Sequence, residues 1–211
     1  MRHLVSAFAL GLAISASPLA AHAQTDAVAT ETASREDVTY AHPEGLDLLA
    51  RIYRPQSAEG PLPVVISVHG GAWGAYDRTS GRVYDQALAD AGYLVVAIDF
   101  RQSPDYQHPA GSADVTAAVR WVRLNAEALN ADPEQIGLIG SSSGGHLALL
   151  AAVRPNNEAH LGTPIAGMHD NFAPHDEIDA SVDYVIAMWP VSSPITRYRY
   201  AQRAGIDQLV T

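Results

Sequence analysis

The sequence predicts an α/β fold in which a mostly parallel, doubly wound sheet follows a pair of antiparallel N-terminal strands. Short apolar runs alternate with helix-like stretches between residues 64 and 189. The runs are continuously apolar, which is typical of parallel strands covered on both faces. With 47% apolar residues in a chain of 211, the sequence can also bury one substantial core. We therefore expect a single globular domain.

The elements can be placed along the chain in order. Two strands are expected first, at residues 37–40 and 46–53, paired through the Pro-Glu-Gly turn between them. The later elements are expected as strands at 64–68, 93–98, 135–139 and 182–189 and as helices at 83–91, 115–129 and 144–153. The segment 154–178 is long, polar and interrupted by prolines. We interpret it as a small lid over a site or as a mobile loop.

The N-terminus has the pattern of a secretory signal peptide. Arg2 precedes a short apolar stretch, and the small-residue sequence Ala-His-Ala ends at Ala23. The apolar stretch is too short for a membrane span. We therefore expect a signal peptide at 1–23, a linker at 24–36, and a domain at 37–211. The mature protein is then periplasmic or secreted, with no membrane span.

The chain is acidic and contains neither lysine nor cysteine. Its formal charge is −10, and removal of residues 1–23, which carry one arginine and no acid, changes it to −11. Such a charge suits neither nucleic acid nor anionic lipid. The absence of lysine excludes a P-loop lysine, a Schiff base and a Ser-Lys dyad, and the absence of cysteine excludes disulfides and a cysteine nucleophile. We expect no cofactor and no metal.

A Gly-Ser-Ser-Ser-Gly sequence at 140–144 lies between the apolar run 135–139 and an Ala/Leu-rich helical stretch. Strand, G-x-S-x-G turn and helix is an arrangement that exposes the central serine at the end of a sheet. The motif therefore predicts Ser142 as a nucleophile. Taken alone it is a weak signal, since glycine and serine are common in ordinary loops.

A second motif strengthens the first. The strand at 64–68 leads directly into His-Gly-Gly-Ala-Trp at 69–73, which has the form of an oxyanion loop. When a serine attacks an acyl carbon, the carbonyl oxygen becomes an anion that backbone N–H groups must stabilise. By position, the expected donors are the amides of Gly71, Ala72 and Ser143. Alanine stands at residue 72 where the motif has its third glycine.

A third block, Asp-Phe-Arg-Gln-Ser-Pro at 99–104 followed by His-Pro-Ala at 108–110, completes the pattern. Together the three blocks resemble the α/β-hydrolases of the esterase and lipase group related to hormone-sensitive lipase, and their compact carboxylesterase relatives. The resemblance covers roughly residues 38–190. It implies an α/β-hydrolase fold and hydrolysis of short-chain acyl or acetyl esters through an acyl-enzyme on Ser142. A small-molecule ester would be the partner, and Trp73 and Tyr76 are candidate pocket residues.

In this family the triad acid and then the histidine follow the serine, on loops after the next strands. After the helix at 144–153 we find one strand-like run, at 182–189. We therefore expect the last strands, the acid and the histidine to lie beyond Thr211, and the 211-residue chain alone to be inactive or nearly so. A pair made of Asp170 and His175 is a less favoured alternative, because both residues would come from one short loop.

Other histidines and acids are interpreted as structural. His146, on the nucleophile helix, and His69, which we expect to brace the oxyanion loop, are not favoured as bases. Asp99 is expected to pair with Arg101 or with a nearby backbone group. The His-Asp pairs at 169–170 and 175–176 lack the fixed helical spacing of a metal site. Arg-Tyr-Arg-Tyr at 197–200 is interpreted as a short amphipathic face instead of a nucleic-acid patch.

Two other functions stay open on the sequence. The chain could be a degenerate hydrolase-fold protein that binds a ligand or partner without turnover, since a fold does not determine a function. It could also be a serine peptidase of the prolyl-oligopeptidase type. The second is disfavoured because no propeller is visible and the residues at 69–73 suit esters better.

Overall fold

The computed structural model describes residues 33–57, 59–167 and 171–206. The signal peptide expected at 1–23 and most of the expected linker lie outside these residues. The strands are β1 (Ser34–Ala41), β2 (Leu48–Arg54), β3 (Leu62–Val68), β4 (Leu94–Ile98), β5 (Ala131–Ser141), β6 (Ile165–Ala166), β7 (Phe172–Ala173) and β8 (Tyr184–Met188). The helices are α1 (Arg82–Asp90), α2 (Ala110–Leu124), α3 (Ala126–Leu129), α4 (Ser143–Val153) and α5 (Pro194–Ala204), with 3-10 turns at Pro43–Gly45 and Glu158–His160.

One mixed sheet joins the described strands in the order β7-β6-β1-β2-β4-β3-β5-β8. The N-terminal pair β1–β2 is antiparallel, as predicted, and β1 begins at Ser34, three residues before the expected start. Strand β3 runs parallel to β4 and β5, and β5 runs parallel to β8. The predicted α/β architecture is confirmed. The carboxyl ends of four parallel strands meet at one edge, where ligands bind in such sheets.

Helices cover both faces of the sheet because its central strands are apolar on both sides. On one face, Val64, Ile66 and Val68 of β3 belong to the large core with α2 and α4. On the other face, Val95 and Ala97 of β4 belong to a smaller core with α1. Burial of each of these valine and isoleucine side chains stabilises the fold by about 1.5–3 kcal/mol. The two cores fix where the ends of β3 and β5 lie.

The helix expected at 115–129 is instead two helices, α2 and the one-turn helix α3. Asn125 lies between them, and its side-chain amide donates to the carbonyl oxygens of Trp121 (2.9 Å) and Ala166 (3.0 Å). Asparagine side chains that bond the backbone in this way compete with continued helix. The break therefore follows from one side chain that also ties the helix end to strand β6.

The described parts of the segment 154–178 do not form a lid over Ser142. Ile165 of β6 pairs with Ala41, at the opposite end of the sheet from β8. The guanidinium of Arg120 on α2, which is 2% exposed, donates to the carbonyl oxygens of Ile178, His160 and Pro155. A buried charge needs such partners. Arg120 thus attaches the described parts of this segment to α2.

Helix α5 was not expected from the sequence. Ser193 caps its first turn by accepting a hydrogen bond from the amide of Thr196 (3.3 Å), Pro194 occupies the first helical position, and Gly205 ends the helix with φ 65°. Serine, proline and glycine at these positions are ordinary helix-end signals. In the described part of the chain, no helix is both long and apolar enough to cross a membrane.

Candidate active site

Ser142 lies in the turn between the end of β5 and the start of α4. Its φ and ψ are 52° and −118°, a conformation that costs a non-glycine residue about 1–3 kcal/mol and persists only where the surroundings impose it. The Ser142 amide donates to the Met188 carbonyl (3.0 Å), and its carbonyl accepts from the amides of His146 (3.1 Å) and Val191 (3.2 Å). The turn is therefore held by α4 and by the chain that follows β8.

The second glycine of the motif, Gly144, allows α4 to begin directly against the end of β3. A Cβ at this position would overlap the carbonyl oxygens of Val68 and His69. Only a residue without a side chain permits this approach of two backbones. Gly144 therefore places the turn that holds Ser142 beside the loop that follows β3.

That loop lies next to the nucleophile, as the sequence predicts. A Cβ built on Gly70 would lie 3.4 Å from Ser142 Cβ. Gly71 has φ 112°, and its carbonyl accepts from the amide of Gly74 (3.1 Å), which closes a tight turn. Ser143 begins α4, where the first amides lack partners within the helix. The donors named from the sequence thus lie on the two segments that flank Ser142, and their role stays a prediction.

The loop is anchored by Asp99 at the end of β4. Its carboxylate accepts from the Arg78 amide (2.8 Å) and guanidinium (2.9 Å). The expected backbone partner is therefore found, but the expected ion pair with Arg101 was wrong. Arg101 instead pairs with the buried carboxylate of Asp114 (2.8 Å) and with Glu44 (2.8 Å). Because Arg78 follows the loop at 69–73, Asp99 fixes the end of that loop.

His69 has the environment of a bracing residue. It is 2% exposed, its ring stacks on Phe100 with centroids 4.4 Å apart, and Nδ1 lies 2.7 Å from the Gly70 carbonyl oxygen. Burial lowers the pKa of His69. A neutral, immobilised ring at this position orders the start of the loop.

A cavity of about 620 Å³ opens beside α4, lined among others by Trp73, Phe100, His146, Leu147, Leu150 and Pro194. The volume is in the range of small-molecule sites. Trp73 therefore lies where a pocket residue was predicted. Tyr76 is 72% exposed, and a Cβ on Gly71 would lie 2.9 Å from its ring. Its role as a pocket residue stays a prediction.

Two contacts that the sequence did not indicate hold Trp73 in place. Its indole Nε1–H donates to His146 Nδ1 (3.3 Å), and the guanidinium of Arg197 on α5 lies 5.8 Å from the indole centroid. A cation at this distance interacts favourably with the ring. Ser193, Pro194 and Gly205 mark the ends of α5 in the sequence. They could have predicted this helix, on which Arg197 lies.

Comparison with known proteins identifies the chain. A sequence profile of the BD-FAE family matches residues 50–205. The chain belongs to the BD-FAE family. Carboxylesterase NlhH of Mycobacterium tuberculosis is 39% identical to it over 108 residues, which are 50% of this chain and 34% of that protein. Esterase LipQ of the same organism is 31% identical over 183 residues, which are 82% of this chain and 43% of that protein.

A solved structure agrees with these relatives. The Est2 esterase of Thermogutta terrifontis superposes with a TM-score of 0.61 at 25% identity, covering 74% of this chain and 53% of that one. The predicted resemblance to α/β-hydrolase esterases of the hormone-sensitive-lipase type is confirmed, as is the α/β-hydrolase fold. The BD-FAE chain described here spans about a third to a half of the length of these relatives.

Several described histidine rings of this BD-FAE domain bond to groups other than Ser142. His146 contacts Trp73, and its pKa is lowered by burial and by the nearby His108. His160 Nδ1 lies 3.2 Å from the Arg154 carbonyl oxygen. His175 pairs with Glu177 (3.1 Å). The alternative acid Asp170, like His169, lies outside the described residues.

The main polar feature that sequence reasoning missed is Asp85 on α1. Asp85 is 0% exposed, and neither carboxyl oxygen has a hydrogen-bond partner among the described residues. Burial raises its pKa from 3.8 to about 6, although the nearby Ser67 hydroxyl opposes the rise. The sequence does contain a signal for this residue. Asp85 lies one helical turn before the buried Ala89, so it falls on the inward, apolar side of α1.

This pKa predicts an unusual pH dependence of stability. Because the folded pKa exceeds the unfolded one, Asp85 destabilises the fold as pH rises from about 4 to about 6, by roughly 3 kcal/mol in total. The Asp85→Asn variant carries no such charge. We expect the difference in unfolding free energy between Asp85→Asn and wild type, measured by urea titration, to grow over this pH range and then level off.

A matched control is Asp90→Asn, which removes an exposed carboxylate from the same helix. Its stability difference from wild type is expected to change by less than about 1 kcal/mol over the same range. If the difference in unfolding free energy between wild type and Asp85→Asn stayed constant with pH, Asp85 would have the same pKa in the folded and the unfolded protein.

Proposed function

We propose that the protein is a serine carboxylesterase that forms an acyl-enzyme on Ser142. One observation carries the proposal: Ser142 has a strained backbone at the carboxyl edge of the sheet, directly beside the glycine loop at 70–71. Strain of this kind is typical of an exposed nucleophile on a strand-turn-helix motif. The names of the relatives NlhH and LipQ, a carboxylesterase and an esterase, support the same reaction.

In the proposed mechanism, Ser142 Oγ attacks the ester carbonyl carbon while a base removes its proton. The amides of Gly71, Ala72 and Ser143 stabilise the oxyanion, and the alcohol leaves with the proton returned by the base. Water then hydrolyses the acyl-enzyme by the same route. The rings of His69, His146, His160 and His175 each bond to a group other than Ser142. We propose that a histidine beyond Thr211, oriented by an acid, is the base.

We propose esters with short acyl groups, including acetyl esters, as substrates. The cavity of about 620 Å³ beside Trp73 and Leu147 fits a compact ester, whereas a long-chain triglyceride needs a larger groove. The test is a series of p-nitrophenyl esters from acetate to palmitate with the full-length protein. We expect kcat/KM to be highest for acetate or butyrate. A maximum at palmitate would contradict the substrate class, and absence of hydrolysis would favour a non-catalytic binding protein.

His146 is predicted to be dispensable as a base. It bonds to the Trp73 indole, and burial keeps it neutral. Its replacement in His146→Gln therefore perturbs the pocket wall without removing a proton acceptor from Ser142. We expect kcat/KM for p-nitrophenyl acetate to fall less than about tenfold, against a loss of about 10³-fold or more for a true base. A loss as large as that of Ser142→Ala would make His146 the base.

We also propose export to the periplasm or the medium, with cleavage after Ala23. Expression of the full-length chain in a bacterial host followed by cell fractionation and N-terminal sequencing tests this. Mature protein that starts at Gln24 is expected. Protein that keeps Met1 and stays in the cytoplasm would contradict it.

A further inference from the structure

His146 lies on the first turn of α4, where its ring forms part of the cavity wall beside Ser142. It follows Ser142 by four residues, which is about one helical turn and about 6 Å along the helix, and its amide donates to the Ser142 carbonyl (3.1 Å). Helical side chains lean towards the N-terminus of their helix. The half-buried His146 lines the cavity together with Trp73 and Leu147. The ring is therefore within reach of an ester bound at Ser142.

The contact with Trp73 determines which nitrogen of His146 carries the proton. An indole N–H can only donate a hydrogen bond, and Trp73 Nε1–H donates to His146 Nδ1 (3.3 Å) from a ring at 89° to the imidazole. Nδ1 is then the acceptor and carries no proton. Burial and the nearby His108 lower the pKa of His146, so the ring is neutral at about pH 7. A neutral imidazole has one N–H, which is therefore on Nε2.

The Nε2–H group of His146 is open to the cavity. Among the described residues it has no hydrogen-bond partner, and Nε2 is not one of the buried, unpaired side-chain atoms in this part of the chain. The cavity lining includes Phe100, Leu147 and Leu150, whose side chains offer no acceptor. A ligand that covers Nε2–H with hydrocarbon would remove water from this donor and leave it unpaired, which is unfavourable. A ligand with an oxygen atom at this place avoids that loss.

We propose that His146 determines specificity by donating a hydrogen bond from Nε2–H to an oxygen atom of the substrate outside the ester group that reacts. The favoured substrates are then short esters that carry an ether, hydroxyl or carbonyl oxygen a few bonds from the reacting carbon. Purely hydrocarbon esters of the same size are disfavoured. A substrate with an N–H group or a cation at this place is disfavoured too, because it would meet a second donor. This role rests on the esterase reaction proposed above.

The test uses two pairs of esters that differ only by an oxygen atom in place of a methylene group. In the acyl part the pair is p-nitrophenyl methoxyacetate and p-nitrophenyl butyrate. In the alcohol part the pair is 2-methoxyethyl acetate and butyl acetate. For each pair we measure the ratio of kcat/KM, oxygen ester over hydrocarbon ester, in full-length wild type, His146→Leu and His146→Gln. The difference in intrinsic reactivity between two esters cancels when this ratio is compared between variants.

We expect the ratio to be about tenfold higher in wild type than in His146→Leu for at least one pair, and that pair shows which part of the ester lies beside His146. His146→Gln keeps an acceptor for the Trp73 indole and an N–H donor for the cavity, so it is expected to retain most of the ratio. The control His42→Gln changes a histidine that pairs with Asp47 away from the cavity and is expected to match wild type. Equal ratios in wild type and His146→Leu for both pairs would overturn the proposal.

Nitrogen NMR of isotope-labelled, full-length Ser142→Ala protein gives a readout that needs no activity. At about pH 8, where the ring is neutral, we expect the His146 signals to show a proton on Nε2 and none on Nδ1. Their loss when His146→Gln is added identifies them. We expect methyl methoxyacetate or 2-methoxyethyl acetate to shift the Nε2 signal more than methyl butyrate or butyl acetate does. A proton on Nδ1, or equal shifts with all of these esters, would overturn the proposal. If wild type hydrolyses no ester, the proposed function fails, and these shifts still decide whether Nε2–H binds a ligand oxygen.

Discussion

Replacement of Ser142 by alanine is expected to lower kcat/KM for p-nitrophenyl acetate by about 10³-fold or more. Without the hydroxyl no acyl-enzyme can form, and only the oxyanion loop and binding contacts contribute to the residual rate. The measurement is steady-state hydrolysis by the full-length protein, with circular dichroism to verify folding. The matched control is Ser57→Ala, which changes an exposed serine far from Ser142 in the sequence. We expect it to keep wild-type kinetics.

The backbone of Ser142 adds a second outcome for the same residue. Because its φ of 52° is unfavourable for any residue with a Cβ, Ser142→Gly relieves strain while removing the hydroxyl. We expect this variant to be inactive and yet more stable than Ser142→Ala by about 1 kcal/mol. Retention of activity in either variant would show that Ser142 is not the nucleophile.

Gly144→Ala is expected to destabilise the fold by about 3 kcal/mol or more, enough to leave much of the protein unfolded. The added Cβ overlaps the backbone carbonyl oxygens of Val68 and His69, which cannot rotate away as a side chain could. To avoid the overlap α4 must move off β3, and this also displaces Ser142 from the oxyanion loop. Urea denaturation of the two proteins measures the change.

The control for Gly144→Ala is Gly162→Ala. Gly162, unlike Gly144, has a positive φ, 84°, and nothing lies within 4 Å of the position of its Cβ. Its replacement adds strain without overlap, so a loss of about 1 kcal/mol is expected. Equal losses in the two variants would contradict the account that close approach of two backbones requires Gly144.

The sequence predicted the central sheet and the two segments that flank the nucleophile, because both depend on local patterns. Strands β3 and β4 are continuous apolar runs, and the glycines of residues 70–71 and 140–144 mark turns where backbones approach closely. Such patterns reflect the chain's own geometry, so they are visible without knowledge of distant contacts. Their proximity in space followed from the parallel order of the strands.

The contacts that shape the pocket could not be predicted, since they join residues far apart in sequence. The partner of Asp99 is Arg78 and not the nearer Arg101, because the oxyanion loop folds back on the end of β4. Arg197 reaches Trp73 only because α5 packs there. Tyr76 was assigned to the pocket only from its position in the loop, and the residue is 72% exposed. Side-chain direction in loops is not encoded by a short pattern.

The most direct measurement of the central claim is covalent labelling of the full-length protein with a p-nitrophenyl phosphonate, followed by mass spectrometry of the peptide covering residues 140–145. A phosphonate reacts with an activated serine and stays attached to its oxygen. We predict one label per chain, on Ser142 and not on the neighbouring Ser141 or Ser143, with loss of ester hydrolysis in proportion to labelling. A label on another residue, or hydrolysis that persists after Ser142 is fully labelled, would contradict the assignment of Ser142 as the nucleophile.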